Sequence, residues 1–541
     1  MTSQILIVMV AAIGLTIFAQ RRGIQPPLLL AAVGLAVSFI PGLPRTNIDP
    51  QIVLSFVVPP LIYSAAFDFS FVSFMRRIGT ILNLGVLMVL VTAGLVGLIA
   101  GWMLPGLSLP AALILGAVVS PPDAVSAVAV GGQLGLPNRM MTILKGEGLI
   151  NDAAALTLFT AAVTAATGRH ALIDSPWLYF IYASFVGIVV GLGIGFVVHR
   201  IRQRLSDPTL VTALAVLTPF AAYGVAQEIS ASGVMAVVFA AFALGHNAAS
   251  LGFAGRIQER EVWRLVDSLL ETFVFAYMGL QLRFVIDDAA HSGFAPNDLL
   301  ATAGVVLVAV IVIRFAWIMA TALVARWRYR LWVEHGKALR RGQPMAPPLS
   351  WRENLVLSWA GMRGVVTLAA AAGTPFVGGA GNAFSAREAI IPIAFDVAIG
   401  TLLLQGLTLP LLIRWLKLSE DETPAEHKHQ LTLARQAIRK VSLEELEKMR
   451  SAATPEEIQM VERLVARSRQ TGTGDDDMEN EKRKPQRQRA LEASKRVLAA
   501  QRQALIAERD AGRLDDEVMR ELLEDIDLEE AVVSSRRDRL S

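Results

Sequence analysis

About thirteen apolar runs, most of them long enough to cross a bilayer, constrain this chain more than any other feature in it. Backbone polar groups in lipid must find partners within the segment or in a closed barrel, so the runs are expected to be helices. They fall approximately at 3–19, 27–41, 50–67, 80–104, 109–134, 139–168, 176–198, 208–228, 230–247, 265–284, 297–325, 351–375 and 388–413. The chain is 53% hydrophobic and only 18% charged over 541 residues, less charge than a soluble protein of this size carries. The expected fold class is therefore an all-α integral membrane protein with a charged helical tail.

Basic residues test the number of crossings. With the N-terminus outside and the segments alternating, the inside loops hold Arg21 and Arg22, Arg76 and Arg77, Arg139, and Arg200, Arg202 and Arg204. They also hold Arg256, Arg260 and Arg264, a dense set from Arg326 to Arg341, and Arg414 with Lys417. Outside loops keep little beyond Arg45, Arg169, Arg283 and Arg387. This asymmetry follows the positive-inside rule at every crossing, and losing one helix midway would invert half of it. The first run, Ile5 to Ala19, has its positive charges after it, so an uncleaved first helix is expected. An odd count places the tail in the cytoplasm.

The division expected is a transmembrane domain over 1–417 and a cytoplasmic, mostly helical tail over 418–541. Stretches such as VSLEELEKM and LEASKRVLAAQRQALIAERD have helical periodicity with charged faces. Residues near 471–487, TGTGDDDMENEKRKPQRQ, have a linker composition. Cysteine is absent and the seven histidines form no HExxH pattern, which excludes a disulfide framework, a thiolate zinc site and a zincin. No cofactor, nucleic-acid partner or enzymatic activity is expected.

Chemistry is concentrated where ionisable residues enter the apolar runs. GEGLINDAAALTLF, from Gly146 to Phe159, places Glu147, Asn151 and Asp152 inside a bilayer-length segment. A charged side chain there costs about 2.5–3.5 kcal/mol on insertion scales, so it needs a partner or a task. Glu147 and Asn151 are i,i+4 and share a face, and Asp152 lies about 100° further round. In VSPPDAVSAVAV, Pro121 and Pro122 interrupt a second segment immediately before Asp123. In SWAGMRGVVTLAAAAG, Gly361 and Gly364 bracket Arg363. Interrupted segments at corresponding positions of two halves point to inverted repeats with a site between them.

Counted at about 1.5 Å per residue, Asp152 lies about 20 Å from Arg139. Arg363 and Arg314 lie about 18 Å from the same side. One arrangement at this shared level pairs Glu147 with Arg314, sets Arg363 nearby, and leaves Asp123 and Asp152 facing water. Two close carboxylates favour proton uptake and oxygen ligands suit hard cations, so proton and cation would compete for one site. Such competition suffices for antiport.

GEGLINDAAALTLF resembles a signature of the monovalent cation:proton antiporter-1 family, the bacterial sodium/proton exchangers of the NhaP and YjcE kind. VSPPDAVSAVAV, SASGVMAVVFAAFALG, FVFAYMGLQL, SWAGMRGVVTLAAA and TLLLQGLTLPLLIRWL are similar to further family segments, over about 1–417. The resemblance implies a homodimer of thirteen-helix protomers with crossed interrupted helices. It also implies electroneutral exchange of Na+, or of K+ or Li+, for H+ by an elevator-like motion in the cell (inner) membrane. By position it implies that Asp152 binds the ion and the proton, with Asn151 as its neighbour and Asp123 as the second acid. Glu147 and Arg314 would form a structural ion pair, and Arg363 would support the site.

Three positions depart from the family pattern. Gly148 stands where Ser is usual, Pro122 where Thr or Ser is frequent, and Ser64 where relatives often carry Glu. Cation ligands besides Asp152 and Asp123 are then expected from backbone carbonyls, Ser120, Ser126 or water. A potassium-selective exchanger is one alternative. An intramembrane aspartyl protease using Asp123 and Asp152 as a dyad is another, although Asp123 follows Pro and Asp152 follows Asn. A channel is a third, but no filter-like loop is present.

Overall fold

In a computed structural model of the chain, the described residues are 2–22, 26–40, 52–167, 173, 175–205, 207–290, 294–334, 339–340, 343–344, 348–375, 386–418, 424–450, 484–511, 513–514 and 516–538. Arg45, Arg169 and positions 471–483 of the expected linker lie outside them. Helices dominate, and the strand pairing present among these residues is a two-residue ladder between Leu339–Arg340 and Gln343–Pro344.

The helices are α1 (Thr2–Arg22), α2 (Pro26–Ser38) and α3 (Val58–Phe67), the last preceded by a π-helical turn at Val53–Val57. Then come α4 (Phe71–Met103), α5 (Leu109–Val119), α6 (Ala124–Gln133) and α7 (Asn138–Thr167). They are followed by α8 (Pro176–Arg202), α9 (Pro208–Glu228), α10 (Gly233–His246), α11 (Phe253–Ala290) and α12 (Pro296–Glu334). The interrupted pair α13 (Trp351–Trp359) and α14 (Val365–Ala372) precedes α15 (Arg387–Leu416). The tail supplies α16 (Pro424–Arg450), α17 (Lys484–Asp510) and α18 (Asp516–Asp538). Among the described residues, seven helices are long and apolar enough to cross a membrane, and three shorter apolar helices accompany them.

Some helices outrun their apolar segments. The fourth begins at Phe71 rather than near 80, and α11 and α12 extend beyond 265–284 and 297–325. Hydropathy marks where the bilayer ends, whereas backbone hydrogen bonding continues into the charged flanks. Several starts are set by local chemistry. Ser108, Asp207 and Ser232 accept backbone N–H groups at the N-termini of α5, α9 and α10, and Ser350 with Glu353 forms a capping box on α13.

The membrane helices sort into two bundles. One contains α1–α3 and α8–α11, and the other contains α4–α7 and α12–α15. Without a hydrophobic drive between helices in lipid, close packing depends on small residues. Gly187, Gly191 and Gly195 lay one face of α8 on the backbone of α10 at Ser232, Ala236 and Ala240. Gly34 of α2 meets Gly279 of α11, and Gly116 of α5 meets Ala93 of α4. Leu178, Ile181, Phe185, Val189 and Phe196 of α8 remain exposed, as a lipid-facing stripe requires. The second bundle repeats one layout twice, a long helix, an interrupted one and a long one, over 71–167 and 296–416. α7 touches α8 and α10, and α11 touches α14 and α15, so the bundles meet beside both interruptions.

Candidate functional site

The two interruptions meet. Pro121 and Pro122 end α5, and the backbone N–H of Asp123 donates to the carbonyl of Met362 in the other break at 2.5 Å. Arg363 completes the junction. Its Nε donates to the Val119 carbonyl at 2.9 Å, and Nη2 donates to the Ser120 carbonyl at 3.4 Å. Nη1 donates to the Gly361 carbonyl, and its backbone N–H donates to Thr401 Oγ1 at 3.0 Å. A guanidinium therefore satisfies carbonyls orphaned at the end of α5, where the helix dipole also favours a cation. Glycine is needed on both sides of Arg363. A Cβ at 364 would run into the Asp123 carboxylate, and one at 361 would run into the Arg314 side chain.

Glu147 and Arg314 form a buried bidentate ion pair between α7 and α12. Arg314 Nη1 contacts Oε1, and Nη2 donates to Oε2 at 3.1 Å. The remaining donors of Arg314 reach the Leu357 carbonyl at the end of α13, at 3.0 and 3.3 Å. Both partners are about 2% exposed, so each neutralises the other's charge in an environment where either alone would be costly.

Asp123 and Asp152 are arranged differently. Asp123 caps α6, its Oδ1 accepting the Val125 N–H at 3.0 Å and its Oδ2 accepting the Ser126 hydroxyl at 2.9 Å. Asp152 lies within electrostatic reach of Asp123. Neither carboxylate forms an ion pair among the described residues, and both are half-buried. Asn151 is fully buried and donates through Nδ2 to the Pro122 carbonyl at 2.8 Å, while its Oδ1 has no hydrogen-bond partner among the described residues. The Ser120 hydroxyl turns back to the Ala117 carbonyl at 3.0 Å, so at Ser120 it is the backbone carbonyl that faces the junction.

Gly148 has a steric cause. A Cβ there would overlap the Cβ of Ala124 at the start of α6, so a serine side chain would not fit. The packing of α4 is similarly tight. Its π-helical turn, Asn83–Leu87, brings Gly85 against Ile150 and the backbone nitrogen of Asn151. Among the described residues, the side-chain oxygens at this place that suit a hard cation are those of Asp123, Asp152, Ser126 and Asn151.

Asp267 and Glu271 were not singled out from the sequence. They stand one turn apart on α11, in the apolar run 265–284. Asp267 accepts the hydroxyl of Ser64, so a carboxylate of α11 reaches α3 at that position. Glu271 lies within electrostatic reach of both Asp267 and Asp123. Their i,i+4 spacing inside an apolar run was the available signal. A partly buried ion pair between Arg139 and Glu353, at 2.6 Å, also ties the start of α7 to α13.

Comparison with known proteins gives the family and the fold. Residues 6–415 match the family described as sodium/hydrogen exchanger, transmembrane. An uncharacterized Na+/H+ exchanger of Mycobacterium tuberculosis is 31% identical over 97% of this chain and 95% of its own length. A sodium, potassium, lithium and rubidium/H+ antiporter of Bacillus subtilis is 30% identical over 72% of this chain and 58% of its own length. The sodium proton antiporter of Methanocaldococcus jannaschii shares the fold, with a TM-score of 0.57 and 17% identity, over 77% of this chain and 98% of that one. These relatives are transporters, not enzymes, which sets the protease alternative aside. The chain is a multi-pass membrane protein and belongs to the sodium/hydrogen exchanger family.

Proposed function

We propose that this protein exchanges a monovalent cation, Na+ or alternatively K+ or Li+, for a proton, one for one and without net charge movement. Asp152 carries either load, Asp123 is the second carboxylate, and Asn151 and Ser126 orient the pair. Glu147 and Arg314 are structural, and Arg363 supports the crossing. The observation that carries this reading is the division of charge around the crossing. Arg314 is committed to Glu147 and Arg363 to backbone carbonyls, which leaves Asp123 and Asp152 without a cationic side-chain partner among the described residues.

In this reading the thirteen segments all cross the inner membrane, with the N-terminus outside and the tail in the cytoplasm. Residues 1–417 form the transport domain and 418–541 the tail. The layout repeated over 71–167 and 296–416 is an inverted repeat. That bundle moves against the other, elevator fashion, in a homodimer whose stationary bundles face each other.

The test is pH recording in everted vesicles on addition of Na+, K+ or Li+. With proton and cation competing for one carboxylate, the half-saturating cation concentration should rise about tenfold per pH unit on the acid side of the site's titration. Asp152→Asn should abolish exchange. A rate unchanged in that variant would overturn the role given to Asp152, and exchange that follows membrane potential would overturn electroneutrality.

A further inference from the structure

The tail folds onto the transport domain. Its three helices share an apolar core in which Ala434 of α16, Leu498 and Leu505 of α17, and Leu522 and Ile526 of α18 are buried together with Ala249, from the turn between α10 and α11. Gln501 of α17 donates to the Ser442 hydroxyl of α16 at 2.8 Å, and Arg502 of α17 pairs with Glu530 and Asp527 of α18. The tail helices are thus one packed unit.

The surface that receives this unit is complementary to it in charge. Arg256, in the first turn of α11, donates from Nε to Asp527 Oδ2 at 2.8 Å and from Nη2 to Oδ1. A cation at a helix N-terminus opposes the dipole, and the acid from α18 neutralises it. One turn further along α11, Arg260 pairs with Glu524. Pairing 256 with 527 and 260 with 524 makes α11 and α18 run antiparallel across the contact. In the reverse sense, tail arginines reach helix C-termini. Arg509 donates to the His246 carbonyl at the end of α10 at 2.9 Å, and Arg520 donates to the carbonyls of Phe67 and Asp68 at the end of α3. All these receiving groups belong to the bundle of α1–α3 and α8–α11.

The other end of the tail belongs to the opposite bundle. α15 ends at Leu416 and α16 begins at Pro424, and the connector 417–423 spans at most about 25 Å when fully extended. α15 supplies the Thr401 hydroxyl that holds Arg363 at the crossing, and α11 carries Glu271 within electrostatic reach of Asp123. We propose that α16–α18 form an intramolecular clasp, docked on the cytoplasmic ends of α3, α10 and α11, that restrains movement of α15 against them and so limits turnover. The clasp rests on the antiport reading above. Ion pairs hold much of it and the Arg260–Glu524 pair is partly exposed, so rising ionic strength loosens it.

The experiment uses full-length protein carrying Asp527→Lys, which sets like charge against Arg256 and Arg502, and Glu524→Arg with and without Arg260→Glu. Amide hydrogen exchange reports docking, and vesicle exchange rates are recorded with choline chloride added inside and outside. Asp527→Lys should lose protection over 516–538 while 71–167 keeps it, should raise the maximal rate about threefold, and should flatten the dependence on ionic strength. Glu524→Arg should do the same more weakly, and the added Arg260→Glu should restore wild-type behaviour. The clasp is overturned if α18 is released and rate and salt profile stay at wild-type values, or if α18 remains protected in Asp527→Lys. A wild-type chain with no cation-dependent proton movement would instead overturn the antiport reading, and with it the effect on rate.

Discussion

The two helix interruptions solve one problem with opposite chemistry. Prolines build the first, which ends in a carboxylate, and glycines flank the second, which holds a guanidinium. They do not pair charge with charge. Arg363 takes the carbonyls left open by the end of α5, and Asp123 takes the N–H groups left open by the start of α6. Each break is satisfied by backbone complementarity, so neither break cancels the carboxylate's charge with the guanidinium. The neighbouring Glu147–Arg314 pair is the contrasting case, in which charge is cancelled within the protein and no capacity remains.

The largest effect should come from breaking the cancelled pair. Glu147→Gln or Arg314→Ala leaves one buried charge uncompensated, at a cost of about 3–5 kcal/mol. Thermal unfolding in detergent should show the loss, and the double change Glu147→Leu with Arg314→Leu should recover most of it. Single variants as stable as wild type would mean that the pair is not structural.

Arg363 comes next. Arg363→Ala removes charged hydrogen bonds to buried carbonyls, each contributing about 1.5–3 kcal/mol. Arg363→Lys keeps the charge but loses the planar fork that spans three carbonyls. We expect Ala to lower both stability and exchange, and Lys to recover stability with exchange still reduced. If Lys matches wild type in both measurements, charge alone suffices and the fork geometry is incidental.

Asp123 separates capping from binding at the smallest energetic scale. Asparagine caps a helix about as well as aspartate, whereas alanine forfeits about 1 kcal/mol. Asp123→Asn should therefore melt close to wild type, and Asp123→Ala slightly below it. Both should lose exchange in the vesicle assay. Retained exchange in Asp123→Asn would remove this carboxylate from the site.

Much of this arrangement is legible in the sequence. Apolar runs and basic loops are one-dimensional signals, because the bilayer imposes length and sidedness on each segment separately. Depth counting brought Glu147 and Arg314 to one level because both lie on regular helices with a known rise. The same counting could not reveal that Arg363 serves carbonyls rather than Asp123, since contacts at a break depend on how two non-helical turns cross. Asp267 and Glu271 are inconspicuous in the sequence for a related reason. Their segment has no proline to draw attention, and the relation of Glu271 to Asp123 exists only where the bundles meet.

By itself the sequence determined a multi-pass helical membrane protein with two interrupted segments and three acids in apolar surroundings, because hydropathy, proline and glycine act locally. Tertiary structure alone decided which charges are cancelled and which stay available. It also decided why residue 148 is glycine, and that the charged tail lies against the ends of α3, α10 and α11. These outcomes depend on distances between segments far apart in the chain. At such contacts burial and hydrogen-bond geometry, rather than residue type, set the energy of a charge.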